Sequence, residues 1–233
     1  MQKLQVLKWF DVVIISMIMF SFFIYSSAIG YFGLKTGAVS LNDNLDFSSS
    51  QNYLTILTEI FFLMITFLYL KFRNFDFLVL FEKIKFNIKS VFLGILLFII
   101  LAFLMDLCSI LMIGFYENLD DVDTDILINF DSSIILFSIV NGFYEEIFFL
   151  GICLLVDKKF LPYALFYGLL IRFSFHTYQG MITALEIGFF FGAFVYIFHK
   201  YIKNLVPFFI AHAIGDMIGI STSYFWQFLS IFD

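Results

Sequence analysis

Two adjacent carboxylates, Glu145 and Glu146, stand in the middle of an apolar run from about Ser132 to Val156. A carboxylate at bilayer depth costs about 2.5–3.5 kcal/mol even on the lenient insertion scale, so a pair there calls for a function or a compensating partner. Two later apolar runs offer partners in a repeated pattern. Arg172 and His176 are four residues apart, as are His212 and Asp216, a spacing that puts both members of each pair on one helix face. Two imidazoles, a carboxylate and an acid converging in a cavity can polarise a carbonyl and activate a water. An ionised glutamate would serve as the base, and the histidines would stabilise the developing oxyanion. The same atoms could instead bind a divalent metal, since two imidazoles and one carboxylate also make a catalytic zinc site. Spacing leaves both chemistries open, together with a purely structural role in which Arg172 or a helix end holds the glutamates. Adjacent residues diverge by about 100° on a helix, so one glutamate is expected to face the cavity and the other to find a separate partner.

The elements that position these residues are membrane helices. The chain has 233 residues, 62% of them hydrophobic and only 14% charged, with a mean hydropathy of +0.98. A soluble domain could not hide that much apolar surface, so an all-α integral membrane protein is indicated. The formal charge of −6 leaves no basic patch for phosphates and excludes nucleic acid as a partner. Cys108 and Cys153 lie inside apolar runs, far from any thiolate metal spacing.

Seven runs approach the length of about 20 residues that a spanning helix needs: 12–34, 53–70, 91–115, 132–156, 160–177, 181–198 and 204–222, with a short eighth piece from Tyr224 to Phe232. The bundle is thus expected to have seven to eight helices in one integral membrane domain, 1–233. The first run follows Lys3 and Lys8 and reads as a retained helix rather than a cleaved leader. With the N-terminus cytoplasmic, Lys3, Lys8, Lys71, Arg73, Lys83, Lys85, Lys89, Lys158, Lys159, Lys200 and Lys203 all fall inside. Only Lys35 is then outside, and Arg172 lies within a span. The stretch Phe72–Lys89 reads as an amphipathic interfacial helix, and Glu117–Asp131 as a solvated acidic loop without the pattern of a calcium site. Glu59, Asp106 and Glu186 have no companion at helical spacing and read as inter-helix or helix-end contacts, His199 as a solvated helix end. Glu145 lies near mid-span and His176 near the outer end of its helix, which a tilted or shortened fifth span would reconcile.

Three ordered motifs carry a family resemblance. Glu145-Glu146 followed by Gly151, Arg172-Phe-Ser-Phe-His176, and His212-Ala-Ile-Gly-Asp216 resemble the motifs of the CPBP intramembrane proteases, which include CAAX prenyl proteases and bacteriocin-processing enzymes. The resemblance covers about residues 132–220, the motif-bearing core. It implies that Glu145 activates water, that His176 and His212 orient the water and hold the oxyanion, and that Asp216 completes the site. It also implies a glutamate-dependent mechanism with no required metal or other cofactor. The chain departs from the family pattern twice: Leu150 stands at the motif arginine and Arg172 at the motif phenylalanine. That arginine would steady the second glutamate, so Arg172 is expected to reach Glu146 from the neighbouring helix, within about 6 Å.

The function expected is endopeptidase action on a peptide or protein precursor in the plasma membrane of a bacterium, with bacteriocin or pheromone precursors favoured over prenylated proteins. The partners are then that substrate and the lipid bilayer. A binding role in bacteriocin self-immunity is the alternative on the same fold. A proton-coupled transporter is a third, against which stand the absence of a repeated half and of matched broken spans.

Overall fold

A computed structural model describes residues 3–45, 47–112, 131–223 and 226. It is helical throughout, with no strands among the described residues. The rods are α1 (Trp9–Thr36), α3 (Ser49–Phe72), α5 (Ile88–Met112), α6 (Ser132–Glu146), α7 (Leu161–His176), the pair α8 (Met181–Leu185) and α9 (Gly192–His199), and α10 (Val206–Ile218); α2 (Leu41–Leu45) and α4 (Leu78–Phe81) are single turns. Local chemistry sets several ends. Lys8 N–H donates to the Asp11 carboxylate at the start of α1 (2.9 Å). At its end Gly37 adopts the left-handed conformation (φ 69°) that favours glycine. Ser48 and Gln51 cap α3 reciprocally, and Pro162 and Pro207 open α7 and α10, where a missing N–H costs nothing.

Two rods are not uniform α-helix. After Glu146 the chain widens into a π-helix, Ile147–Ile152, and then tightens into a 3-10 turn, Cys153–Leu155. A second π segment, Glu186–Phe191, joins α8 to α9. Such segments insert a residue into the helical register and recur at functional sites.

The seven rods fall where the apolar runs place them, but they are not alike. Five are long and apolar enough to cross a membrane: Trp9–Thr36, Ser49–Phe72, Ile88–Met112, Ser132–Leu155 and Met181–His199. The 16 residues of α7 and the 13 of α10 reach only about 24 and 20 Å at 1.5 Å per residue, short of a hydrocarbon core of about 30 Å. The expected fifth and seventh spans are therefore short helices, and α7 ends at His176. Tyr224–Phe232 lies outside the described residues apart from Trp226, as do residues 113–115 of the third run and most of the acidic loop.

The rod ends that carry the basic residues lie together. Leu4 exchanges hydrogen bonds with Asn74 and Asp76, Leu7 N–H donates to Leu155 C=O, Leu205 N–H to Lys83 C=O, and the Asn204 side chain bonds both backbone groups of Lys85. At the other end Ser27 meets Thr177 and Tyr178, and Asn52 meets Ser133. The expected interfacial helix over Phe72–Lys89 is not formed. Between the end of α3 and the start of α5 only the turn α4 is helical, because Phe75 and Leu80 plug into the core instead of lying on one exposed face. His199 is likewise buried, against the ring of Phe208 (5.7 Å), rather than solvated.

Two apolar clusters divide the interior. One gathers α1, α3, α6 and α7 around Phe20, Tyr144, Phe148, Phe149 and Phe175. Phe20 stacks on Phe175 (5.1 Å between ring centres) and meets Phe148 edge-on (4.9 Å). The other gathers α5, α8–α9 and α10 around Leu101, Leu150, Phe191 and Phe208. The π segment sends Phe148 and Phe149 into the first cluster and Leu150 into the second. The glutamates immediately before it stand at the seam.

Candidate active site

Gly142, one turn before the glutamates, lets α10 press against α6. A Cβ there would lie 2.8 Å from the Phe209 carbonyl and 3.1 Å from the Ala213 nitrogen, so only glycine fits the crossing that brings His212 to the carboxylates. Gly188 does the same for α7, since its Cβ would stand 2.5 Å from the Phe173 Cα. The π segment carrying Gly188 is thereby seated against the turn that holds Arg172.

Five of the six predicted site residues form one contact network. Arg172 Nη2 donates to Glu146 Oε1 at 2.5 Å, with both side chains almost wholly buried. The expected cross-helix pairing is therefore present, well inside 6 Å. His212 Nδ1 donates to the same oxygen at 2.8 Å, while its Nε2 lies 3.7 Å from Glu145 Oε2 and 3.5 Å from Asp216 Oδ1. Asn141 Nδ2 donates to Asp216 Oδ2 at 2.8 Å. Asp216, with 21% of its side chain exposed against 5% for Glu145, is the member nearest solvent.

The guanidinium of Arg172 is also flanked by aromatic faces, with Cζ 4.2 Å from the centre of the Phe149 ring and 5.3 Å from that of Phe191. Cation–π attraction in a desolvated setting is worth up to about 2 kcal/mol. It holds a charge whose Nε and Nη1 make no hydrogen bond.

The expectation that the two glutamates find separate surroundings is corrected in part. Glu146 has its own arginine, but both carboxylates also reach His212. The imidazole presents a nitrogen on each edge and the glutamate arms are long enough to close on both, so a 100° divergence at Cα does not separate the carboxylate ends.

His176 lies apart from these contacts. Its Nδ1 is 2.8 Å from the carbonyl of Arg172, and a carbonyl can only accept, so Nδ1 carries the hydrogen and Nε2 is left as an acceptor. The following turn, Thr177–Gln179, is pinned to α1 by Ser27, which bonds Thr177 Oγ1 and accepts from Tyr178 N–H, both at 2.9 Å.

Residues 129–218 match the family model described as type II CAAX prenyl endopeptidase Rce1-like. That stretch, less than half of the chain, is similar to this family. No curated protein and no solved structure matches the chain. The Rce1-like stretch begins three residues before α6, ends with the last residue of α10, and contains all six predicted site residues. The helices α1, α3 and α5 lie outside it.

Glu145, Glu146 and His212 each offer a ligand atom within 4.8 Å of the others, the geometry of a possible metal site. Glu146 Oε1, however, already accepts from Arg172 and His212. A divalent cation there would sit against a fixed guanidinium, which makes this donor set a poor fit for a dication.

Two residues at or near the network were not assigned to the site from the sequence. Asn141 stands four residues before Glu145, a same-face spacing that could have flagged it. Glu59 is buried on α3, within electrostatic range of Glu145, Asp216 and His212. Only the cost of a mid-span carboxylate marks it in sequence.

Proposed function

We propose that the protein is a multi-pass membrane endopeptidase that cleaves a peptide or protein precursor at the bilayer, using Glu145 as the base that activates water. The Rce1-like match supports an intramembrane protease of the CAAX type. The observation that carries the site assignment is Glu145 Oε2, a buried carboxylate oxygen with no hydrogen-bond partner among the described residues, 3.7 Å from the Nε2 of His212.

Glu145 takes a proton from water as the water oxygen adds to the scissile carbonyl. The bare Nε2 of His176 accepts the other hydrogen of that water and so orients it. Oxyanion stabilisation then falls to His212, which as the imidazolium favoured by its three carboxylate neighbours gives a hydrogen from Nε2 as well as from Nδ1, whereas a neutral His176 with its hydrogen on Nδ1 has none to give from Nε2. Asp216, steadied by Asn141, holds the His212 ring. Arg172 keeps Glu146 ionised and Glu146 fixes His212, so the pair sets geometry while Glu145 does the chemistry. The guanidinium is the resident cation of the site, and no metal is required. Residues 132–220 form the catalytic core of one membrane domain. The clustered basic rod ends face the cytoplasm of a bacterium, with the N-terminus on that side.

The test is cleavage by purified protein in detergent of two probes, a farnesylated peptide with a CAAX terminus and a pool of bacteriocin-type precursor peptides. Wild type should cut one of them in the presence of a strong chelator. Glu145→Gln should lose about 10²–10⁴-fold of the rate with unchanged thermal unfolding. Cleavage that survives Glu145→Gln, or stops with chelator, refutes this mechanism.

A further inference from the structure

The proposed reaction leaves one buried carboxyl unused. Helices α3 and α6 run side by side in the same direction: Ser49 donates to Asp131 and Asn52 Nδ2 to Ser133 Oγ (3.0 Å) at their starts. Counting about 1.5 Å per residue from the Asn52–Ser133 contact puts Glu59 level with Val140, one residue before Asn141. Asn141 is one turn before Glu145 and bonded to Asp216. Glu59 is 2% exposed and its Oε2 has no hydrogen-bond partner. Glu145, Asp216 and His212 lie within electrostatic range of it, as does the phenol of Tyr144, and none of the described lysines or arginines does. A carboxyl buried beside other carboxylates without a cation of its own is carried as the neutral acid.

We propose that Glu59 is the general acid of the hydrolysis, giving its proton to the leaving nitrogen while Glu145 takes one from the attacking water. The inference rests on the endopeptidase reading. The water oxygen bonds to the carbonyl carbon and its proton goes to Glu145. The C–N bond breaks with its electron pair moving to nitrogen, which takes the Glu59 proton. The proton on Glu145 then passes to Glu59 through water, and both carboxyls end as they began. Glu59 lies outside the Rce1-like stretch, so α3 completes a site whose other groups come from α6, α7 and α10.

The probe that wild type cleaves is compared with its thioester analogue, because a thiolate leaves without needing a proton. Glu59→Gln keeps the shape and removes the acid. It should lower amide cleavage about 10²-fold or more and leave thioester cleavage and thermal unfolding unchanged, whereas Glu145→Gln should lose both reactions. Glu59→Asp, which keeps a proton on a shorter arm, should recover part of the amide rate. If both substrates suffer equally in Glu59→Gln, or amide cleavage is retained, Glu59 is not the acid. Wild type that cuts neither probe overturns the endopeptidase reading, and this role with it.

Discussion

Asp11 and Glu146 are both buried carboxylates that face an arginine, yet their surroundings differ in kind. Asp11, at the start of α1, has each oxygen served twice. Oδ1 accepts from Tyr69 Oη (2.6 Å) and Arg73 Nε (2.7 Å), and Oδ2 from Lys8 N–H (2.9 Å) and Arg73 Nη2 (3.3 Å). Arg73 itself is 28% exposed and reaches water. Glu146 has one oxygen shared by Arg172 and His212 and a second, Oε2, that makes no hydrogen bond; Arg172 keeps two nitrogens unbonded as well. The first pair is saturated and fastens α1 to α3. The second is left under-bonded where an apolar interior makes that expensive, and a structure tolerates such cost where a site needs fixed charge with capacity to spare.

The contrast can be broken by removing each arginine. Arg172→Met leaves Glu146 buried and unpaired, and should destabilise the protein by about 3–5 kcal/mol, read by denaturant unfolding in detergent. If the cross-helix swap is what keeps Glu146 paired, adding Leu150→Arg together with Arg172→Phe should regain most of that loss, the phenyl ring taking the space between Phe149 and Phe191. No recovery in that double variant would mean that the neighbouring helix, and not the charge alone, is needed. Gly142→Ala forces α10 away from α6 and should cost about 1–3 kcal/mol together with cleavage, since His212 moves with its helix. Full activity in that variant would separate the close crossing from the site. Arg73→Met should cost least, about 1 kcal/mol, because Tyr69 and Lys8 still hold Asp11 and the vacated edge opens to water. A loss as large as that of Arg172→Met would erase the distinction drawn between the pairs.

Much of the site was legible because charges inside apolar runs are few and costly. Glu145, Glu146, Arg172, His212 and Asp216 stood out on that ground, and i, i+4 spacing said which would share a face. The Arg172–Glu146 pair followed from asking where a displaced arginine must go. What spacing could not show was the hydrogen on His176, which depends on a carbonyl of its own helix, or the convergence of both glutamates on one ring. Glu59 was legible as a residue but not as a neighbour, because its level against α6 is set by the Asn52–Ser133 contact. Asp11 escaped notice by lying one residue outside the apolar run that begins at Val12. Of the fold, the rods were readable from composition. The π segments were not, since an inserted residue leaves no trace in a pattern of nearly uniform apolarity. The loop 72–89 was misread because its phenylalanines and leucines suit a membrane surface as well as they suit the core they enter.

The hydrogen bond from Leu7 to Leu155 also sets an order of events during synthesis. The partner of Leu7 is made 148 positions later, which at about 5–20 residues per second is a wait of roughly 7–30 s. Throughout that interval the segment before α1 has no way to satisfy the contact. A segment made before α1 therefore waits for the rod that follows α6, and closure of this seam marks the moment when the helix bearing Glu145 and Glu146 has joined α1.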